Sequence, residues 1–114
     1  MVKIEIVKSL AIAIKKKFSR VEANKIIDLL YTLENSPHKG KVLGTVGGIV
    51  IKELKYKKFR FYFLVDGHKL KITSEEDLID LLLRFVRMSD KNTQRKVIEE
   101  IKVVLKIIGP KGFE

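Results

Sequence analysis

After a short alternating stretch at Val2–Val7, the hydrophobic period of this chain changes twice, and that constrains its fold more than any other feature. From there to residue 34 the apolar side chains recur at helical spacing. From Lys41 they alternate with polar ones, and beyond Lys91 the helical spacing returns. Helical spacing gives a helix one buried stripe, and alternation gives a strand one buried face. Blocks of helix, then strand, then helix make an α+β fold, a mainly antiparallel sheet with helices packed on it. With 114 residues the chain suits one domain, residues 1–114.

Local signals place the elements. Val2 to Val7 alternates Val and Ile with charges, a short strand. Ser9 is a candidate cap for a helix over 9–18. Ser19-Arg-Val-Glu22 is a capping box opening a second helix over 20–34, with Val21, Ala23, Ile26, Ile27, Leu30 and Leu33 at helical spacing. Strands are expected over 41–46, 49–56 and 59–65, and Asp66-Gly67 signals a hairpin returning along 69–73. Residues 74–88 read two ways: Ser74-Glu-Glu-Asp77 resembles a helix start, yet Ile79, Leu81, Leu83 and Phe85 alternate. The reading adopted is a strand over 81–87. Asn92 or Thr93 then caps a helix over 93–108, with Gly109 at its end and Pro110 beyond.

Composition excludes several classes of chemistry. The chain has no cysteine, hence no disulfide, thiolate metal site or Cys nucleophile. His38 and His68 are its only histidines, and they have no metal-ligand spacing, so neither a metal nor a cofactor is expected. No apolar run approaches the roughly 20 residues of a membrane span. The charged N-terminus does not read as a signal peptide, and a cytoplasmic location is expected. Lys and Arg number 24 against 14 acidic residues, a formal net charge of +10. Such an excess favours a polyanionic partner: RNA, DNA or an acidic protein segment.

Two stretches carry a resemblance. Ile51-Lys-Glu-Leu-Lys-Tyr-Lys-Lys-Phe-Arg-Phe-Tyr-Phe-Leu-Val65 resembles the central hairpin of the RelE/ParE toxin superfamily, in which Glu-Leu-Arg is followed by aromatics around an Arg. Leu83-Arg-Phe-Val-Arg-Met-Ser-Asp-Lys-Asn-Thr-Gln94 resembles the segment that, in HigB-like toxins, ends the last long strand before the C-terminal helix. Asn35-Ser-Pro-His-Lys-Gly40 is similar to that family's turn after its second helix. The resemblance implies a RelE-like domain: an N-terminal helical hairpin on a mainly antiparallel sheet, then a C-terminal helix. It also implies a toxin of a type II toxin–antitoxin pair. Such a toxin is a metal-independent endoribonuclease that cleaves mRNA on the ribosome and is held in check by an acidic antitoxin. Two alternatives stay open: a ParE-like relative that inhibits gyrase without catalysis, and a plain nucleic-acid-binding module.

Metal-free RNA cleavage by 2′-hydroxyl attack needs fixed cations where charge builds on the phosphoryl oxygens. Arg60, mid-strand among Phe59, Phe61 and Phe63, is the leading catalytic candidate, because a guanidinium grips phosphate in bidentate fashion. Its competing role is an ion pair with Glu53 across the hairpin. Lys55 matches the family's Arg after Glu-Leu, and Arg87 and Lys91 stand where the resemblance places active-site bases. Lys52, Tyr56, Lys57, Lys58 and Arg84 are candidate RNA-binding residues. Lys52 and Lys55, three apart on one strand, point to opposite faces, so at most one lines a shared groove. Lys15-Lys-Lys17 is a charge run on the first helix, either a solvated face or an RNA contact. Tyr62 lies two residues after Arg60, where many relatives have a Tyr three after. No general-base tyrosine is carried over.

Overall fold

The computed structural model describes residues 2–66 and 82–113. Strand β1 (Lys3–Ile6) alternates exposed charges with half-buried Ile4 and Ile6. Val7 then donates its N–H to the Phe85 carbonyl at 3.0 Å and turns the chain into α1 (Lys8–Lys17). Leu10 and Ile14, four residues apart, form the buried stripe of α1. The N-cap is Val7, with no side-chain cap bond, and not the expected Ser9. Helix α2 (Arg20–Tyr31) starts as its capping box dictates: the Glu22 N–H donates to Ser19 Oγ at 3.2 Å. Ala23, Ile26 and Leu30 face the core, and a 3₁₀ turn (Thr32–Glu34) buries Leu33 beside them.

The chain enters the sheet through Gly40, whose φ of 105° favours glycine. A Cβ there would lie 3.0 Å from Phe63 Cζ and 3.1 Å from the Glu53 carbonyl oxygen. Gly40→Ala should therefore destabilise the fold by at least about 1–2 kcal/mol, the cost of a left-handed residue with a Cβ. Urea denaturation measures this, and an unchanged midpoint would contradict it.

Among the described residues, strands β2 (Lys41–Val46), β3 (Ile49–Tyr56), β4 (Phe59–Asp66) and β5 (Leu82–Asp90) form a five-stranded sheet with β1 in the order β1-β5-β4-β3-β2. Only β1 pairs in parallel, with β5; the other neighbours are antiparallel. Strand β4 occupies the middle, and Phe61, Tyr62, Phe63 and Leu64 are all fully buried. Its near-continuous apolar run is what a strand covered on both faces requires. The helical hairpin covers one face, with Phe18 edge-to-face on Phe59 at 4.9 Å.

Helix α3 (Gln94–Ile107) covers the other face, burying Ile101 and Leu105. Thr93 is its N-cap, but the Thr93 side chain accepts no cap bond. Asp90 serves instead: its Oδ1 accepts from the Thr93 N–H at 2.9 Å and from Thr93 Oγ1 at 3.0 Å. The Thr93 bonds hold the Asp90 carboxyl below the usual carboxylate range. The helix ends at Gly109, with φ of 95°, and a 3₁₀ turn (Pro110–Gly112) returns Phe113 to the core. The α+β fold, the helical hairpin and the C-terminal helix are as the sequence predicts. The expected strand 69–73 and the acidic stretch 74–77 lie outside the described residues.

Candidate nucleic-acid interface

Side chains alternate across a strand, so register decides which cations meet. Lys55 pairs with Arg60, Glu53 with Tyr62, Arg60 with Ser89, and Tyr62 with Arg87. Lys55, Arg60 and Arg87 thus occupy one face of three adjacent strands, the α3 face. Arg87 reaches it through a bulge. Phe63 pairs with Phe85 and Tyr62 with Arg87, leaving Val86 as an extra residue on β5. Plain alternation would put Arg87 on the face of Phe85, beneath the helical hairpin. The bulge reverses that and brings Arg87 to the side of Arg60.

The cations on this face carry internal partners. Arg60 Nε lies 2.9 Å from Glu53 Oε1, with Arg60 13% and Glu53 8% exposed. Gln94 Nε2, at the start of α3, donates to the other Glu53 oxygen at 3.4 Å. Arg60 Nη1 is buried and has no hydrogen-bond partner among the described residues. Arg87 Nε donates to Glu100 Oε1 at 2.9 Å, Nη1 to the Val86 carbonyl at 2.8 Å, and the guanidinium lies 5.0 Å from the Phe113 ring centre. Arg84 lies 3.1 Å from Glu5 and donates to the Pro110 carbonyl at 3.0 Å. The competing role of Arg60, the ion pair with Glu53, is present, and α3 with its tail closes over Arg84 and Arg87.

The remaining predicted residues divide between this face and elsewhere. Lys55 is exposed beside Arg60. Lys91 is exposed beyond the end of β5, in an open cleft of about 620 Å³ that it lines with Asn92, Gln94, Arg95, Ile98 and Glu99. Lys52 is the clear correction. It is 8% exposed, lies on the helical-hairpin face, and donates to the His38 carbonyl at 3.0 Å. Burial pushes its ammonium below the ordinary lysine range, so it ties the turn before β2 to the sheet and offers no surface to RNA. Tyr56 shares that face, with Lys57 Nζ 5.4 Å from its ring centre. Lys57 and Lys58 form the exposed β3–β4 turn, and Lys57 pairs with Glu22 at 3.2 Å. That carboxylate holds the Lys57 ammonium above its ordinary value.

Sequence reasoning did not find Tyr62, Ser89, Gln94, Glu100 or Phe113 as parts of this face. Tyr62 Oη and Ser89 Oγ lie 2.7 Å apart, both residues buried. Burial raises the Tyr62 phenol above its ordinary value. Tyr62→Phe should cost about 1–3 kcal/mol, because it leaves the buried Ser89 hydroxyl without its partner. Thermal melting tests this, and a variant as stable as the parent would contradict it. A signal for Glu100 was present in the sequence: it stands three residues after Val97, at the margin of the apolar stripe.

Among the described residues no group of three or more acidic, His or Cys side chains gathers to hold a metal ion. No described helix is long and apolar enough to cross a membrane. The chain matches no family model, no curated protein and no solved structure.

Proposed function

We propose that this protein is a cytoplasmic toxin of the RelE/ParE type that cleaves mRNA on the ribosome without a metal and is restrained by an acidic antitoxin. One observation carries the reading. Arg60 shares one face with Lys55 and Arg87, and among the described residues its buried Nη1, like Arg84 Nε, has no hydrogen-bond partner. An unpaired buried donor costs stability, and such costs concentrate at working sites. In this reading Glu53 orients Arg60 through Nε, and Nη1, shielded from solvent in this structure, must be uncovered before it meets a phosphoryl oxygen. Lys55 and Lys91 supply charge from the open end of the face, and Arg87 flanks it. The 2′-oxygen bonds to phosphorus as its proton passes to water, the bond from phosphorus to the 5′-oxygen breaks and that oxygen takes a proton from water, and the cations stabilise the charge gathering on the phosphoryl oxygens. The overall charge of +10 supports RNA as partner and an acidic protein as restraint.

A second reading rests on the ion pairs themselves. Glu53 and Glu100 neutralise two of the cations that transition-state stabilisation requires. That favours a non-catalytic relative, of the kind that inhibits gyrase. Incubating the purified protein with mRNA, with and without ribosomes, separates the two. Fragments appearing with ribosomes are expected; intact mRNA in both arms would leave the non-catalytic reading standing.

A further inference from the structure

On the α3 face Arg60, Arg84 and Arg87 are paired with carboxylates, whereas at one end of the sheet most cations are not. Four junctions meet at that end: α1 stops, α2 starts, β3 turns into β4, and β5 passes into α3. Each junction carries exposed cations. Lys15, Lys16 and Lys17 lie in the last turn of α1, and Arg20 begins α2. Lys57 and Lys58 form the hairpin turn, while Lys91 and Arg95 flank the start of α3.

Specific contacts hold these junctions together. Phe18 packs on Phe59, Lys57 reaches Glu22, and Lys17 lines one cleft with Phe59, Asp90 and Thr93. Of the carboxylates here, Glu22 is held by Lys57, Asp90 by Thr93, and Glu99, in the cleft with Lys91 and Arg95, lies 4.0 Å from Lys102. Lys15, Lys16, Arg20, Lys58, Lys91 and Arg95 have no carboxylate partner among the described residues. The positive end of the α3 dipole adds to the same field.

We propose that this end of the sheet is a docking surface for the phosphate backbone of duplex RNA, adjoining the α3 face at Lys91. The proposal rests on the RNA reading above. Two features favour a duplex over an unpaired strand. First, the cations sit on four separate elements and form a broad cap, which suits phosphates on both sides of a groove. Second, no ring here offers an open platform for base stacking. Lys17 Nζ lies 5.4 Å from the Phe59 ring centre and Lys57 Nζ 5.4 Å from that of Tyr56, while Phe18 is packed edge-on against Phe59. Unpaired strands are usually held by such platforms. The cap reads charge and shape, and leaves the α3 face for the strand to be cut.

The test is fluorescence anisotropy of a short RNA duplex, a DNA duplex of the same sequence and oligo(U), from about 50 to 200 mM salt. The full chain is compared with its Lys16→Glu/Arg20→Glu double variant. Both sites are exposed and neither substitution lowers helix propensity much, and a melting curve confirms the fold. A Lys16→Gln/Arg20→Gln variant serves if the reversal impairs folding. Each phosphate contact contributes about −0.9 to the slope of log affinity against log salt. Loss of two contacts should therefore flatten the duplex slope by about 2 and weaken binding roughly tenfold or more, with a smaller loss for oligo(U). Unchanged duplex affinity and slope, in a protein that binds RNA, would overturn this surface alone. An equal loss for oligo(U), or equal binding of the DNA duplex, would overturn its assignment to duplex RNA. Wild-type protein that binds no RNA would overturn both this surface and the RNA reading.

Discussion

Arg60→Ala is expected to lower the stability of the protein by about 3–5 kcal/mol, the loss that follows when one partner of a buried ion pair is removed. Glu53 is 8% exposed, and Arg60 is its closest cation at 2.9 Å. Without Arg60 the carboxylate would stay under the start of α3 with only the 3.4 Å bond from Gln94. Glu53→Ala should cost a similar amount, because it strands the guanidinium instead. Replacing both, Glu53→Leu with Arg60→Met, should recover most of the loss, since a well-packed apolar pair removes both desolvated charges. Urea denaturation of the single and double variants closes this cycle. Single variants within about 0.5 kcal/mol of the parent, the range of surface substitutions, would show that the pair is solvated in solution.

That result also marks where sequence reading stopped. The change of hydrophobic period located the three α-helices of the described residues and the strands over 41–66 to within a few residues, because burial repeats with the backbone's own period. The capping box at Ser19 fixed the start of α2 for the same local reason. The face carrying Arg60 was legible only in part. Lys55 and Arg60 follow from a two-residue hairpin turn, and Lys52 falls to the opposite side by alternation. The depth of Lys52 depends on the turn around His38 folding over it, which no local spacing encodes. Arg87 depends on the extra residue at Val86, and nothing in Leu83-Arg-Phe-Val-Arg87 marks a bulge. Strand β5 continues to Asp90, past the expected end at residue 87, because its last residues pair with the start of β4. The partners of Arg84 and Arg87 come from α3 and the tail, contacts between distant segments that only the assembled fold creates.

The second large effect concerns cleavage. Arg60→Lys keeps a positive charge for Glu53 and should leave the fold largely intact. It removes the planar fork, and with it the second donor that the unpartnered Nη1 provides. If Nη1 holds a phosphoryl oxygen in the transition state, its loss should slow mRNA cleavage about a hundredfold, the effect of deleting one preorganised donor. Because folding is preserved, this variant separates a role in chemistry from the structural role that Arg60→Ala exposes. A melting curve alongside each rate keeps the two apart. The Glu100→Gln variant offers a contrast. The Arg87–Glu100 pair is part-exposed, at 29% and 49%, so its removal should change stability by no more than about 1 kcal/mol.

Attack by the neighbouring 2′-hydroxyl leaves its mark at the cut end. The decisive measurement is to incubate the wild-type protein and Arg60→Lys with mRNA-loaded ribosomes in EDTA and analyse the 3′ terminus of the upstream fragment. Wild type should cut and leave a 2′,3′-cyclic phosphate, as attack by the neighbouring 2′-hydroxyl requires, while Arg60→Lys should cut about a hundredfold more slowly. Intact mRNA with the wild-type protein, cleavage abolished by EDTA, or Arg60→Lys cutting at the wild-type rate would contradict the account.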